Sequence, residues 1–212
     1  MDERPYLCDH PVPIEEEPRH PLVIANHFVR AFAVEIAPHD RTLCHHHEHE
    51  YVMYVAGEAR IVSAPRDGEP KTHTYHDGDC ELSPPGLIHV VENLADTKFR
   101  NLLVEFLPGM AGLPCGFAPK IVTGHARIAR LFAHHLASVF LLDIETDSEV
   151  EICGPAVVAS PYEHEVEVAT PQAGAFTLAH YRDLFWLSPA TGATLSNEGK
   201  IAARVVLFAL GR

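Results

Sequence analysis

Seven consecutive residues, Cys44-His45-His46-His47-Glu48-His49-Glu50, all carry side chains that ligate metals or move protons. The chain has 16 histidines, many of them between His39 and His89. Neutral imidazole is the commonest protein ligand for transition metals, so the chemistry to look for here is that of a divalent metal held by nitrogen. A histidine run alone reads equally well as a solvated loop, and the elements around it must decide.

The text from Phe28 to about Leu107 is β-like. Phe32 to Ile36, Tyr51 to Val55, Ala59 to Ser63 and Asn101 to Phe106 alternate or run apolar, with Gly, Pro and Asp between them, the pattern of a sandwich or barrel of short strands. On a strand, residues two apart share a face. The inward set is therefore either His45, His47, His49 and Tyr51, or Cys44, His46, Glu48 and Glu50. Downstream, Gly78-Asp79-Cys80-Glu81-Leu82-Ser83-Pro84-Pro85-Gly86-Leu87-Ile88-His89-Val90-Val91-Glu92-Asn93 places turn residues before a short apolar strand. Those turns aim His89 at the barrel mouth.

This segment matches the second cupin motif at every fixed position, and the run from His45 through Glu50 and Tyr51 to Gly57 resembles the first. The chain is thus identified as similar to the cupin superfamily. The resemblance implies a double-stranded β-helix (jelly-roll) barrel holding one divalent transition metal, Fe, Mn, Ni, Zn or Cu, with open positions for a small molecule. Counting back from Gly57 by the motif spacing selects Glu50 and His46 but sets Cys44 where the first histidine belongs. The other frame keeps His45 and His47, puts Tyr51 at the carboxylate position and shortens the hairpin turn by one residue. It is preferred because a turn deletion is cheap. The expected ligands are His45, His47 and His89, with Glu50 as fourth through a local bulge. Glu50 or His49 would complete the shell or move protons, and Tyr51 would orient substrate. His20, His27, His39, His134 and His135 lack such context and are set aside as ordinary residues. Cys80, inside the second motif, reads as a small buried hydrophobe.

The second half echoes the first. Glu81-Leu-Ser-Pro-Pro-Gly86 returns as Trp186-Leu-Ser-Pro-Ala-Thr-Gly192, and Asn93 and Arg100 return as Asn197 and Arg204, which implies two copies of one fold. Ala193 then stands opposite His89 and the segment 151–156 opposite the histidine cluster, so the second copy is stripped of ligands. The expected architecture is all-β and duplicated: residues 1–112 as an arm plus metal-binding cupin, and 113–212 as a linker helix plus degenerate cupin. The linker helix is read over His125 to Ala137, from the spacing of Ile128, Leu131, Phe132 and Leu136.

Composition bounds the rest. Hydrophobic residues are 47% and charged residues 21%, the usage of an ordinary globular chain. The net charge of -13 comes without a basic cluster, which argues against nucleic acid. No apolar stretch is long enough to span a bilayer, and the start reads without a secretory signal. Five scattered cysteines, none paired as CxxC, argue against a disulfide framework and for a cytoplasmic setting. No nucleophile elbow or phosphate loop is found. The expected function is a dioxygenase-like metalloenzyme on a small organic substrate, with an isomerase, a lyase or a non-enzymatic binding or sensing module as alternatives, and a homodimer as the default assembly.

Overall fold

The computed structural model describes residues 6, 8–113 and 118–211, so Cys115 and residues 1–5 and 7 lie outside the described residues. Twenty strands form four five-stranded sheets. In the first copy, β1 (Val12–Pro13), β4 (His45–His47), β9 (Leu87–Asn93), β6 (Ala59–Pro65) and β7 (Lys71–Tyr75) make one sheet in that order. The other sheet runs β2 (Leu22–Ala25), β3 (Val29–Ile36), β10 (Phe99–Phe106), β5 (Tyr51–Ala56) and β8 (Cys80–Ser83).

The second copy repeats both orders with every strand ten places later. Its sheets are β11 (Lys120–Thr123), β14 (Ser148–Cys153), β19 (Gly192–Asn197), β16 (Val166–Thr170), β17 (Gly174–Leu178), and β12 (Ala126–Ala133), β13 (Ala137–Ile144), β20 (Ala203–Leu210), β15 (Ala156–Ala159), β18 (Leu184–Leu187). The duplication read from short echoes is therefore a duplication of strand order, with one difference: β1 runs parallel to β4, whereas β11 runs antiparallel to β14. The chain divides into one unit of Met1–Leu22 with Arg30–Phe106 and another of Val23–Val29 with Leu107–Arg212.

Each unit buries its own core, as two facing sheets with alternating inward side chains must. Phe32, Val34, Ile36, Val55, Ile61 and Leu103 lie in the first, and Leu142, Ile144, Val150, Leu195, Val205 and Leu207 in the second. The echoed polar residues do the same work in both. Asn93 Nδ2 donates to the carbonyls of Ile36, Ala37 and Thr97 while its Oδ1 accepts from Ala95 N. Asn197 Nδ2 donates to Ile144 and Ile201, and its Oδ1 accepts from Gly199 N. Arg100 pairs with Glu35 at 2.8 Å and Arg204 with Asp143 at 2.7 Å.

Two expectations are corrected. The segment read as a helix from His125 is strand β12, paired along its length with β13 and carrying a bulge between Arg130 and Phe132. Two residues there oppose one, so the apolar positions fall three and four apart and imitate a helical period. Among the described residues the only helical segments are 3-10 turns at Ile14–Glu16 and Pro108–Gly112. The cysteines are not all unpaired: Cys8 is bonded to Cys44 across 36 positions, which ties the N-terminal arm to the entry of β4. Among the described residues no helix is long and apolar enough to cross a membrane.

Candidate metal centre and cavity

Alternation settles which face of the histidine run points inward. His45, His47 and Tyr51 are buried, whereas His46 is half-buried and Glu48 exposed. His45 sits directly opposite His89 in the β4–β9 register, and residues so paired project to the same side. Gly86, at φ +87°, makes the turn before β9 and donates its N–H to the His47 carbonyl at 2.8 Å. A side chain would be strained in that conformation.

His45 and His89 meet through Nε2. His45 Nε2 and His89 Nε2 are 3.1 Å apart, close to the ~3 Å separation of two nitrogens bound about 2.1 Å from one ion at a right angle. Their outer nitrogens have partners elsewhere. His45 Nδ1–H donates to the Leu43 carbonyl at 3.0 Å, and His89 Nδ1 meets Ser63 Oγ at 3.0 Å. His47 Nδ1 lies 3.5 Å from Glu105 Oε1. That distance is long for a hydrogen bond, and both His47 Nδ1 and Glu105 Oε1 are buried without a hydrogen-bond partner among the described residues.

A fourth histidine joins them, one that no local motif marks. His20, on the arm before β2, is 5% exposed, and its ring centroid is 4.6 Å from that of His45. It is therefore not the ordinary residue expected from sequence. Donor atoms of His20, His45 and His47 all lie within 4.8 Å of one another. His20 Nδ1 is buried without a hydrogen-bond partner among the described residues, a costly state that a metal would relieve. Glu17 places this arm. Its buried carboxylate accepts from Arg19 N at 2.9 Å and from Leu43 N at 2.6 Å, while its carbonyl accepts from His20 N at 2.9 Å. The residue that seats His20 thus also seats Leu43, whose carbonyl fixes the tautomer of His45. Val12, paired with His45, and the Cys8–Cys44 bond hold the arm further.

Burial pushes His20, His47 and His89 well below the usual imidazole range, reinforced by their mutual repulsion, and burial also lowers His45. All four rings are neutral near pH 7 and offer lone pairs. A neutral nitrogen set fits Mn, Fe, Ni, Cu or Zn and does not suit Ca or Mg.

The carboxylate that the structure brings to the histidines is Glu105, whereas Glu50 is half-buried and does not line the cavity. Glu105, fully buried on β10, is paired in register with Tyr51 and bridged to Arg30 at 2.7 Å. Its carboxyl is raised by burial, against the pull of Arg30. Tyr51 stacks on His47 with centroids 4.3 Å apart, and burial raises its hydroxyl far above the ordinary phenol. His49 is half-buried near Glu105. Cys80 is half-buried, with its thiol pushed up to about 12, chiefly by burial. It is an unreactive thiol at neutral pH.

The centre opens on a cavity of about 250 Å³ within the first unit, whose lining includes His20, His47, Tyr51 and His89. Apolar walls come from Val34, Ile36, Val91, Phe99 and Leu103, with polar groups from β6, β7 and β8.

No family model and no curated protein matches this chain. Solved structures do match, at identities that speak to fold alone. Vicilin from Solanum lycopersicum (tomato) has TM-score 0.64 at 13% identity, over 87% of this chain and 75% of that one. Oxalate decarboxylase of Lactobacillus farciminis, as a formate complex, has TM-score 0.62 at 14% identity, over 88% and 78%. Salicylate 1,2-dioxygenase of Pseudaminobacter salicylatoxidans has TM-score 0.57 at 15% identity, over 86% and 70%.

Proposed function

Given the duplicated cupin fold that this chain has, we propose that it is a metal-dependent enzyme acting on a small organic molecule, with dioxygenase-like chemistry in the N-terminal barrel. One observation carries the reading: three neutral imidazoles, His20, His45 and His47, bring donor atoms within 4.8 Å of one another, with His89 3.1 Å from His45, beside an apolar-walled cavity. A storage or packing role does not call for four buried histidines, since burying a polar ring costs free energy that a core of Leu and Val avoids.

His45, His47 and His89 would hold the ion through Nε2, with His20 as the fourth donor. A bound transition metal supplies Lewis acidity and, where it is redox-active, a site for dioxygen. Leu43 and Ser63 hold His45 and His89 by hydrogen bonds to their Nδ1 atoms, and Tyr51 stacks on His47. Tyr51, protonated at all working pH values because burial raises it, presents an O–H donor to the cavity and braces His47. Val34, Ile36 and Leu103 exclude water from the reacting molecule.

Dioxygenase and decarboxylase activities are named for two of the fold's solved members, and a vicilin has the fold as well. The fold therefore leaves catalysis to be decided at the site. The test is elemental analysis of tag-free protein together with oxygen uptake, for wild type and His89→Ala. About one transition metal per chain, with uptake on addition of small organic substrates and both lost in the variant, supports the reading. Metal without oxygen consumption redirects it to isomerase or lyase chemistry. A chain that neither carries nor takes up metal is a binding module.

A further inference from the structure

We infer that the substrate is a small organic carboxylate, gripped between the metal centre and the ammonium group of Lys71; this rests on the metal site proposed above. The first ground is charge. The four candidate ligands are imidazoles, and the side chain stacked on His47 is the phenol of Tyr51, which brings no negative charge to offset a cation. The two buried acids that act on the site, Glu105 and Glu17, are already paired with Arg30 and Arg19. A divalent ion there keeps its full positive charge toward a low-dielectric cavity, where an anion is strongly favoured.

The second ground is Lys71. Along β7, Lys71, His73 and Tyr75 line the cavity, Lys71 as an exposed residue at its opening and the other two half-buried, whereas Thr72 and Thr74 are exposed and do not line it. Lys71 is paired with Ser63 in the β6–β7 register, and Ser63 Oγ touches His89 Nδ1. Lys71 thus stands one cross-strand pair away from the serine that holds His89. Among the described residues Lys71 has no ion pair. Glu81 is the only acid in the cavity lining, and its carboxylate accepts from the Tyr75 hydroxyl, at the far end of β7 from Lys71. A cavity of about 250 Å³, roughly the volume of eight waters, suits a molecule of one ring or a short chain.

The second copy supports the assignment from the other side. Val168 occupies the rung of Ser63, and its partner on β17 is Phe176. Where the histidines are gone, the lysine is gone too. The competing account is that Lys71, on the edge strand of its sheet, deters pairing with other chains.

Co(II)-loaded wild type, Lys71→Met and Lys71→Arg are titrated with benzoate and glycolate, and with benzamide and ethylene glycol as neutral counterparts. The cobalt spectrum and calorimetry report binding. The carboxylates are expected to bind wild type at least tenfold more tightly than their counterparts. Lys71→Met should remove most of that preference at unchanged cobalt content, and Lys71→Arg should retain it. Equal binding of carboxylate and neutral probes, or a preference that survives Lys71→Met, overturns the inference while the metal site stands. If Lys71→Met self-associates with its carboxylate preference intact, the lysine is an edge guard and the inference fails. A wild type that takes up no cobalt sinks the metal site and the inference together.

Discussion

The two copies share strand order, and apart from the edge pair, parallel for β1 with β4 and antiparallel for β11 with β14, they share strand direction, yet they fill the same inner positions with opposite chemistry. Four residues before the buried asparagine, β9 sets His89 against His45, and β19 sets Ala193 against Ile152. Tyr51 faces Glu105 in the first copy, and Ala156 faces Ala209 in the second. Gly154 stands at the place of His47, and a side chain there would meet the carbonyls of Ser188 and Leu187. Ile152, Ala156, Ala193 and Ala209 all belong to the continuous core of the second copy. The difference teaches that these inner positions are not needed for the fold, because the second copy closes the same sheets with apolar side chains. The first copy gives up that packing to hold four imidazoles and an open cavity, the usual conflict between stability and a working site.

The comparison breaks most visibly if the first copy is given the residues of the second. His45→Ile with His89→Ala is expected to abolish metal binding, a loss of at least about 1000-fold with two of four donors removed, read as metal per chain. The metal-free variant should unfold no more easily than metal-free wild type, since an apolar pair replaces polar groups that only partly satisfy one another. A marked drop in its urea midpoint would mean that the histidines are structural.

A pH series on metal-free protein sharpens the same contrast. The folded-state values of His20, His45, His47 and His89 lie below the ordinary 6.5, so below that pH the unfolded chain binds more protons. Their stabilising contribution is complete above about 6.5 and is lost as the pH falls, by up to about 1.4 kcal/mol per pH unit for each ring. Glu105, raised above 4.5, works in the opposite sense and offsets one ring at most. Urea midpoints between pH 8 and 5 should fall steeply for wild type and less steeply for the variant that combines His45→Ile with His89→Ala. A flat wild-type profile would refute burial of neutral histidines.

The asparagines test what the copies have in common. Asn93→Ala and Asn197→Ala each remove at least three hydrogen bonds from a buried amide, which costs about 2–3 kcal/mol in either copy. Chemical denaturation of both variants should give losses within about 1 kcal/mol of each other, and Asn197→Ala should keep its metal. A negligible loss at Asn197 would mean that the second copy no longer depends on this closure.

Much of this was legible because it is local. The run from Gly78 to Asn93 encodes its own turn and strand, and the alternation of His45, His47 and Tyr51 is a property of neighbours. What escaped depends on distant partners. His20 joins the centre from an arm whose course is set by Glu17 and Leu43, and Cys8 finds Cys44 across 36 positions. No local period marks either. Glu105 did leave a signal, a lone acid on the same face as Asn101 and Leu103 in a buried strand. The bulge in β12 inserted one residue and turned a strand pattern into a helical one.

Glu17 gives the finest test, because the second copy has no arm doing its work in the described residues. Both of its oxygens accept backbone N–H groups, from Arg19 and Leu43. In Glu17→Gln one oxygen becomes an NH2 group, which cannot accept, so one of those donors loses its partner at nearly constant volume. Either loss reaches the site: Leu43 fixes His45, and Arg19 precedes His20. Metal affinity, measured by competition with a chromophoric chelator, should weaken about tenfold, as outer partners of metal ligands typically require. Unchanged affinity would mean that the Val12–His45 pairing and the Cys8–Cys44 bond hold the arm unaided, leaving Glu17 a residue of the fold and not of the site.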